Sequence, residues 1–116
     1  MVIEAKGTAN WVELEGYDGY EISRGGEVSC SEKTVNTKDR TYTASQYIVT
    51  PFNHPKSNAQ RVYIRKNGKR VSRGVTMLML DTFFDRRDGY KYEVYYRDKN
   101  TDNNALWNLT VNEVKI

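Results

Sequence analysis

The stretch "VYYRDKNTDNNALWNL", Val94–Leu109, joins a tyrosine-rich apolar segment to a loop rich in asparagine and aspartate. The residues that lead into it, "YKYEVYY", alternate through Tyr92, Val94 and Tyr96, which is typical of a β-strand with one buried face. The Asn/Asp-rich run then predicts a loop that enters a short helix or turn near residues 105–109. The sequence therefore predicts that this segment is one unit of strand, loop and short helix or turn.

A β-hairpin is the clearest element upstream of this unit, in "RVYIRKNGKRVSR", residues 61–73. The Asn-Gly pair at 67–68 favours a two-residue turn between two strands. Alternation along the first strand directs Val62 and Ile64 towards the core. The opposite face then carries an aromatic ring between two guanidinium groups: Arg61, Tyr63 and Arg65.

One helix is expected, in "VTMLMLDTFF", residues 75–84. Its residues recur at spacings of three and four and form a stripe that packs on a sheet: Val75, Leu78, Met79, Thr82 and Phe83. Near the N-terminus, "WVELEGYDGYEIS" and "GGEVSCS" predict a β-hairpin. The stretch "QYIVTPF", residues 46–52, predicts a second strand, which Pro51 should end or place at the edge of a sheet. The expected fold class is α+β, a small antiparallel sheet or set of hairpins with one main helix, in a single domain of 116 residues.

Composition excludes several classes of site. One cysteine and one histidine leave neither an internal disulfide nor a structural zinc site, so we expect no metal and no cofactor. The opening residues show no secretory signal, and no apolar segment approaches the roughly 20 residues that span a bilayer. We therefore expect a soluble protein of a reducing cytoplasm that does not contact membranes.

Charge is distributed unevenly around a net value of +3. Residues 1–32 carry Lys6 and Arg24 against seven acids: Glu4, Glu13, Glu15, Asp18, Glu21, Glu27 and Glu32. Residues 56–73 contain no acid. Such a strip is either a solvated hairpin face or a contact for a polyanion. The candidate DNA-binding residues are Lys56, Arg61, Tyr63, Arg65, Lys66, Lys69, Arg70 and Arg73.

Three blocks of the chain resemble, in the same order, the NUMOD-type HNH homing endonucleases of phages and mobile elements. In the first block, residues 11–30, the similar positions are Trp11, Gly16, Tyr17, Gly19, Tyr20, Ser23, Gly26, Val28 and Ser29. In the second, residues 50–84, they are Pro51, Asn53, Val62, Gly68, Lys69, Leu78 and Phe83. In the third, residues 94–109, they are Asp98, Asn100, Asn103, Asn104, Asn108 and Leu109. The resemblance implies a NUMOD-like sheet and helix at 11–88 and a degenerate HNH-like ββα unit at 89–116.

The same resemblance implies that DNA cleavage has been lost. In such enzymes a histidine takes a proton from the attacking water beside a metal ion, and these two positions correspond here to Tyr96 and Tyr95. The histidine that commonly opens the family's helix falls near Thr76, and the last metal ligand would fall past Ile116. Asn108 is expected to be a structural clasp across the strand–loop–helix unit.

Two functions from different classes follow. The first is a catalytically inactive, homing-endonuclease-like protein that binds double-stranded DNA. The alternative is a small phage protein that binds and inhibits a host protein, in host takeover or anti-defence, through its acidic N-terminal third and its tyrosines at 90, 92, 95 and 96. A residual HNH nuclease is a third alternative. It would need His54, the one histidine, to reach the third block.

Overall fold

The computed structural model describes residues 1–30 and 47–116, together with the backbone of 33–36 and 41–44. Glu32 among the N-terminal acids and Gln46 at the start of the predicted strand 46–52 lie outside the described residues. In chain order the elements are β1 (Val2–Ile3), β2 (Trp11–Glu13), β3 (Tyr20–Ser23), β4 (Val28–Cys30), β5 (Lys33–Asn36), β6 (Thr41–Ala44), β7 (Tyr47–Ile48), β8 (Phe52–Asn53), β9 (Gln60–Lys66), β10 (Lys69–Gly74), α1 (Val75–Phe83), β11 (Tyr90–Tyr96), a 3-10 helix (Leu106–Asn108) and β12 (Leu109–Lys115).

All strand pairs in the described part of the chain are antiparallel. They form four small sheets, in the orders β1-β12-β11, β10-β9-β8, β2-β3-β4-β7 and β5-β6. One α-helix accompanies these sheets within the described residues. This confirms the prediction of antiparallel hairpins with one main helix. None of the helices formed by these residues has the length and apolar character needed to span a bilayer.

The N-terminal third folds as a three-stranded meander, β2-β3-β4, to which β7 adds a fourth strand. The predicted strand at 46–52 differs from the structure, since β7 covers only Tyr47–Ile48 and β8 begins separately at Phe52. The Val49 amide still donates to the Val28 carbonyl at 2.8 Å. Pro51 has no N–H to continue the ladder, so the two strands belong to different sheets.

The hairpin β9–β10 has the predicted register and turn. Asn67 and Gly68 both have positive φ, 53° and 76°, as a two-residue hairpin turn of type I′ requires. Val62 and Ile64 are buried, while Tyr63 and Arg65 between and beyond them are exposed. On its other edge β9 pairs with β8, which places Phe52 opposite Arg61. The alternation predicted for β9 is confirmed.

The helix α1 packs against β3, β9 and β10. Its buried residues are Val75, Leu78, Met79, Leu80 and Phe83. Thr82, predicted on the buried stripe, is only half-buried, and Leu80 is buried in addition. The buried face of α1 is therefore wider than one helical stripe, because sheets and the N-terminal segment cover it on more than one side. The Lys6 amide, for example, donates to the Phe83 carbonyl at 2.7 Å.

The predicted ββα unit at 89–116 is wrong in its helical part. This fully described segment contains β11, the 3-10 helix and β12, and no α-helix. The reason lies in the period of burial, since Leu109, Val111 and Glu113 are buried and the residues between them are half-buried. That period of two is the pattern of a strand, and β12 pairs with both β11 and β1.

Glu113 is a charged residue on the buried face of β12. Its carboxylate accepts hydrogen bonds from the Arg87 guanidinium and, at 2.7 Å, from the Tyr92 hydroxyl. These two hydrogen bonds hold the pKa of Glu113 below its ordinary value. The carboxylate is thus buried in its charged form with partners that stabilise it.

Backbone contacts join the N-terminal meander to the C-terminal loop. The Leu106 amide donates to the Arg24 carbonyl at 2.8 Å. Gly26 has φ +83°, and a Cβ at this position would lie 2.8 Å from the carbonyl carbon of Asn104. Only glycine allows so close an approach of the two backbones. The segments 11–88 and 89–116 are therefore in direct contact.

Candidate nucleic-acid interface

The sheet β10-β9-β8 has two faces of different chemistry. Cross-strand partners point to the same side of a sheet, so the register decides which side chains share a face. Arg61 lies opposite both Phe52 and Gly74, Tyr63 opposite Ser72, and Arg65 opposite Arg70. We call this side the arginine face; it consists of Phe52, Arg61, Tyr63, Arg65, Arg70 and Ser72. The other side carries the apolar residues of β9 and β10 that pack towards α1.

An aromatic and cationic stack occupies the centre of the arginine face. The rings of Phe52 and Tyr63 lie 4.5 Å apart at an interplanar angle of 16°. The guanidinium carbon of Arg70 lies 3.8 Å from the centre of the Tyr63 ring. Because β8 and β10 flank β9 on opposite sides, these contacts reach Tyr63 from its two sides. Tyr63 therefore presents its edge and hydroxyl to solvent rather than an open ring face.

The other two arginines of the face differ in how they are held. Arg61 donates from Nε to Ser72 Oγ at 2.7 Å and from Nη2 to the Ser72 carbonyl at 3.1 Å. The exposed side chain of Arg65 forms no hydrogen bond or ion pair with any residue of 1–30 or 47–116. Arg61 thus has a fixed orientation, whereas Arg65 is free to turn towards a ligand.

Like charges oppose each other across the hairpin. Arg65 is the register partner of Arg70, and Lys66 is the partner of Lys69. The ion pairs found among the described residues lie elsewhere, at Lys6–Asp85, Arg86–Asp81 and Arg87–Glu113. Directly opposed like charges destabilise a strand pair. No ion pair among the described residues offsets this cost, although the Asp18 carboxylate lies at the hairpin tip, where it accepts a hydrogen bond from the Gly68 amide at 2.9 Å.

The remaining predicted DNA-binding residues lie away from the arginine face. Arg73 points to the opposite side of β10, where its Nε donates to the Tyr17 hydroxyl at 2.9 Å. The ammonium of Lys66 lies 5.6 Å from the centre of the same ring. Lys69 shares the face of Lys66, and Lys56 is exposed in the loop between β8 and β9. The structure therefore groups Arg61, Tyr63, Arg65 and Arg70 and separates the other four.

Sequence reasoning missed two residues of this face. Phe52 belongs to the arginine face because β8 pairs with β9. The strand β8 has only two residues and directly follows Pro51, so its sequence gives no signal of a strand. Ser72 was accessible from sequence, because counting back from the Asn-Gly turn pairs it with Tyr63.

Tyr95 and Tyr96, predicted to take the positions of the nuclease's metal ligand and histidine, point in opposite directions. The side chain of Tyr95 is exposed, whereas the hydroxyl of Tyr96 lies 2.6 Å from Thr76 Oγ1. Thr76 donates its hydrogen to Asn104 Oδ1, so Tyr96 must be the donor to Thr76. The Asn104 amide then donates to Gln60 Oε1 at 2.8 Å. A neutral chain of hydrogen bonds thus joins β11, α1, the Asn-rich loop and β9.

The loop between β11 and the 3-10 helix is organised around Asn108, which is fully buried. Asn108 Oδ1 accepts from the Asp98 amide at 2.9 Å, while Nδ2 donates to Asp98 Oδ1 at 2.9 Å and to the Asn103 carbonyl at 2.8 Å. Hydrogen bonds from the Asn103 side chain and the Asn100 amide, with a further one from Asn108, lower the pKa of Asp98.

His54 is held within its own turn. Its Nδ1 accepts from the amides of Lys56 and Ser57 at 3.2 and 3.4 Å. The loop after Pro51 does reach the third block, but through Asn53, whose amide donates to Asp102 at 2.7 Å. Within the part of the chain that the structure describes, no three His, Cys, Asp or Glu residues group so that they could hold a metal ion.

The arrangement of sheets and helix is found in a solved nuclease. Over 87% of its length the chain matches the structure of the HNH homing endonuclease I-HmuI, a protein that binds and cleaves DNA, with a TM-score of 0.59 and 26% identity. The chain resembles an HNH homing endonuclease. It spans 51% of the I-HmuI chain, about half of its length. No family model matches the chain. No curated protein matches it either. The homing-endonuclease-like fold is thus supported, and the NUMOD assignment stays a prediction.

Proposed function

We propose that the chain binds double-stranded DNA through the arginine face and does not cleave it. The observation that carries this proposal is the face itself, where three guanidinium groups surround two stacked rings and no described carboxylate pairs with them. The likeness to I-HmuI, a DNA-binding nuclease, supports the same partner. Of the predicted contacts, Arg61, Tyr63, Arg65 and Arg70 form the interface in this proposal; Lys66, Lys69 and Lys56 contact phosphates at its edges, and Arg73 supports Tyr17.

Phosphate is the ligand that this charge arrangement fits. An opposed like-charge pair such as Arg65 and Arg70 costs the hairpin several tenths of a kcal/mol. A phosphate between two guanidinium groups converts that repulsion into two charge-assisted hydrogen bonds. The two pairs at Arg65–Arg70 and Lys66–Lys69 lie next to each other along the hairpin. Successive pairs point to opposite sides of the sheet, so the arginine face presents the Arg65–Arg70 pair. Phosphates of a nucleic-acid backbone relieve that pair directly, and the Lys66–Lys69 pair reaches phosphates only at the edge of the interface.

The stack on Tyr63 favours a duplex over a single strand. Proteins that bind single strands offer open aromatic faces on which unpaired bases stack. Phe52 and Arg70 already occupy the two sides of the Tyr63 ring. Bases within a duplex are stacked on one another and need no such platform. The arginine face instead offers guanidinium groups and a phenol hydroxyl, which suit backbone and groove edges.

The chemistry of Tyr95 and Tyr96 accounts for the proposed loss of cleavage. A tyrosine hydroxyl keeps its proton at neutral pH, so it cannot replace an imidazole that accepts a proton from water. The hydrogen of Tyr96 is moreover directed to Thr76. Asn108, in this proposal, keeps the loop in its nuclease-like shape through its bonds to Asp98 and Asn103.

The proposal is tested by fluorescence anisotropy with a labelled duplex of about 30 base pairs and with one of its single strands. We expect the duplex to bind more tightly, with log Kd changing linearly with log salt. Arg65→Ala/Arg70→Ala should reduce the salt slope by about 1.8, at about 0.9 per phosphate contact. The matched control Lys91→Ala/Lys115→Ala removes two exposed charges from the sheet β1-β12-β11 and should leave the salt slope unchanged. Equal effects of the two double variants, or tighter single-strand binding, contradict the proposal.

Binding of a host protein is a second candidate, and one observation favours it. Glu13 and Glu21 are register partners on β2 and β3, a like-charged pair that a cationic protein surface would relieve. The expected result is that Glu13→Lys/Glu21→Lys abolishes capture of one specific host protein from lysate, while Arg65→Ala/Arg70→Ala does not. Capture that depends on the arginines, or on added nucleic acid, assigns the interaction to DNA instead.

A further inference from the structure

Arg61 differs from the other cations of the arginine face because its guanidinium is fixed before any ligand binds. Ser72 accepts two of its hydrogen bonds, from Nε and from Nη2. The cross-strand partner of Arg61 is Gly74, which has no side chain to displace the guanidinium. A Cβ on Gly74 would lie 3.8 Å from Arg61 Nη1, so the guanidinium lies against this glycine. Strand pairing and Ser72 together set its position.

The donors that remain on Arg61 form one usable edge. A guanidinium carries five N–H groups. Ser72 takes the Nε hydrogen and one Nη2 hydrogen. This leaves both hydrogens of Nη1 and the second hydrogen of Nη2. One Nη1–H and the remaining Nη2–H point in the same direction, away from Ser72. This end-on pair matches a ligand with two neighbouring acceptors in one plane.

In a duplex, guanine offers such an acceptor pair, O6 and N7, at the major-groove edge. A phosphate can be bound by a cation that turns freely, as Arg65 does, and gains less from a fixed orientation. Fixing a side chain in its binding geometry lowers the entropy cost of one specific contact. We propose that Arg61 reads a guanine of the bound duplex through its end-on edge, with Ser72 as its positioning residue. This inference rests on the proposed DNA binding.

The first test is selection of bound sequences from a randomised duplex of about 30 base pairs. We expect the wild-type protein to enrich a guanine at one fixed position, with a preference of about tenfold or more over the other bases. Arg61→Lys keeps the charge but loses the planar edge. It should bind bulk duplex more weakly, with the salt slope of the wild-type protein because the charge is kept, and lose the guanine preference.

The second test replaces the enriched guanine by 7-deazaguanine, which lacks the N7 acceptor. The wild-type protein should lose most of its preference on this duplex, and Arg61→Lys should lose nothing further. Ser72→Ala should weaken the preference several-fold without changing the salt slope, and Ser72→Thr, which keeps the hydroxyl, should retain it. A merely structural role of Ser72 would instead weaken binding to all sequences equally.

The outcomes separate this inference from the proposed function. Absence of duplex binding refutes the proposed function and this inference with it. Three results would overturn the role of Arg61 and leave DNA binding standing: duplex binding without an enriched guanine, a guanine preference that survives in Arg61→Lys, or no response to 7-deazaguanine.

Discussion

Arg65→Glu should stabilise the fold and weaken DNA binding at the same time. Arg65 lies directly opposite Arg70, and its side chain has no hydrogen-bond or ion-pair partner among the described residues. The substitution therefore removes no side-chain hydrogen bond or ion pair. It contributes to stability in two ways: it ends the repulsion between Arg65 and Arg70, and it adds an ion pair between the new carboxylate and Arg70. Each of these two terms is worth about 0.2–1 kcal/mol, so the free energy of unfolding should rise by about 1 kcal/mol. For a domain of this size Tm should then rise by about 4 °C.

The same change acts on DNA in the opposite direction. It removes one proposed phosphate contact, which lowers the salt slope by about 0.9. It also sets a carboxylate against the DNA backbone, and such a like-charge contact costs several kcal/mol at most binding surfaces. The affinity at moderate salt should fall by about tenfold or more. Opposite signs for stability and affinity are expected of a surface that is shaped for a ligand rather than for the fold.

Thermal unfolding at about 20 mM and about 500 mM salt, together with anisotropy on the same samples, measures both effects. The gain in Tm should be larger at low salt, because a Debye length of about 10 Å at 0.1 M screens exposed charges. Lys91→Glu is the matched control, since Lys91 is an exposed strand residue whose register partner is Val114. It should change neither Tm nor affinity appreciably. A fall in both stability and affinity for Arg65→Glu, or an equal loss of affinity for Lys91→Glu, refutes the reasoning.

Three further predictions concern the C-terminal hairpin. Asn108→Ala should lower the free energy of unfolding by about 3 kcal/mol, measured by denaturant titration, because it removes a fully buried side chain together with its three hydrogen bonds to Asp98 and Asn103. Asn112→Ala, a half-buried control, should cost less than about 1 kcal/mol. Tyr96→Phe should lower the free energy of unfolding by about 1–2 kcal/mol, because it breaks the chain of hydrogen bonds that begins at Tyr96. Tyr95→Phe, at an exposed site, should change it by less than about 0.5 kcal/mol. Equal losses for the two variants would show that these hydrogen bonds contribute nothing to stability. The hydrogen bonds from Arg87 and Tyr92 lower the pKa of Glu113. Its contribution to the free energy of unfolding is therefore complete above the ordinary pKa of 4.5 and is lost as pH falls through the lowered pKa. Glu113→Gln should make the free energy of unfolding depend less on pH between about pH 7 and pH 3, and an unchanged dependence would contradict this.

The hairpin β9–β10 could be predicted from sequence because its signals are local. The Asn-Gly turn fixes the register, and alternation then assigns Val62 and Ile64 to the core. The helix was equally visible, since its stripe has a clear period. The arginine face was predicted in part for the same reason, as three of its members lie on one strand.

What the sequence could not supply depends on contacts between distant segments. The sequence analysis predicted that a helix begins at Asn108-Leu109, where the structure has the start of β12. This segment is a strand because it pairs with β11 and β1, and such pairing with distant segments leaves no signal in the local sequence. Phe52 joins the arginine face through a two-residue strand, which has too few residues to show a period. The hydrogen-bond chain from Tyr96 to Gln60 links four elements, and no spacing along the sequence encodes such a contact.

The central claim, a nuclease-like fold that binds a duplex without cutting it, is tested most directly in one titration. A labelled duplex of about 30 base pairs is titrated with the protein in magnesium or manganese at several salt concentrations, and the same samples are run on a denaturing gel. The account predicts that the logarithm of the association constant falls with log salt at a slope of about −4.5, for the five phosphate contacts of Arg65, Arg70, Lys56, Lys66 and Lys69, and that the strands stay intact in every lane. Nicked or cleaved DNA, or no binding at the lowest salt, contradicts it.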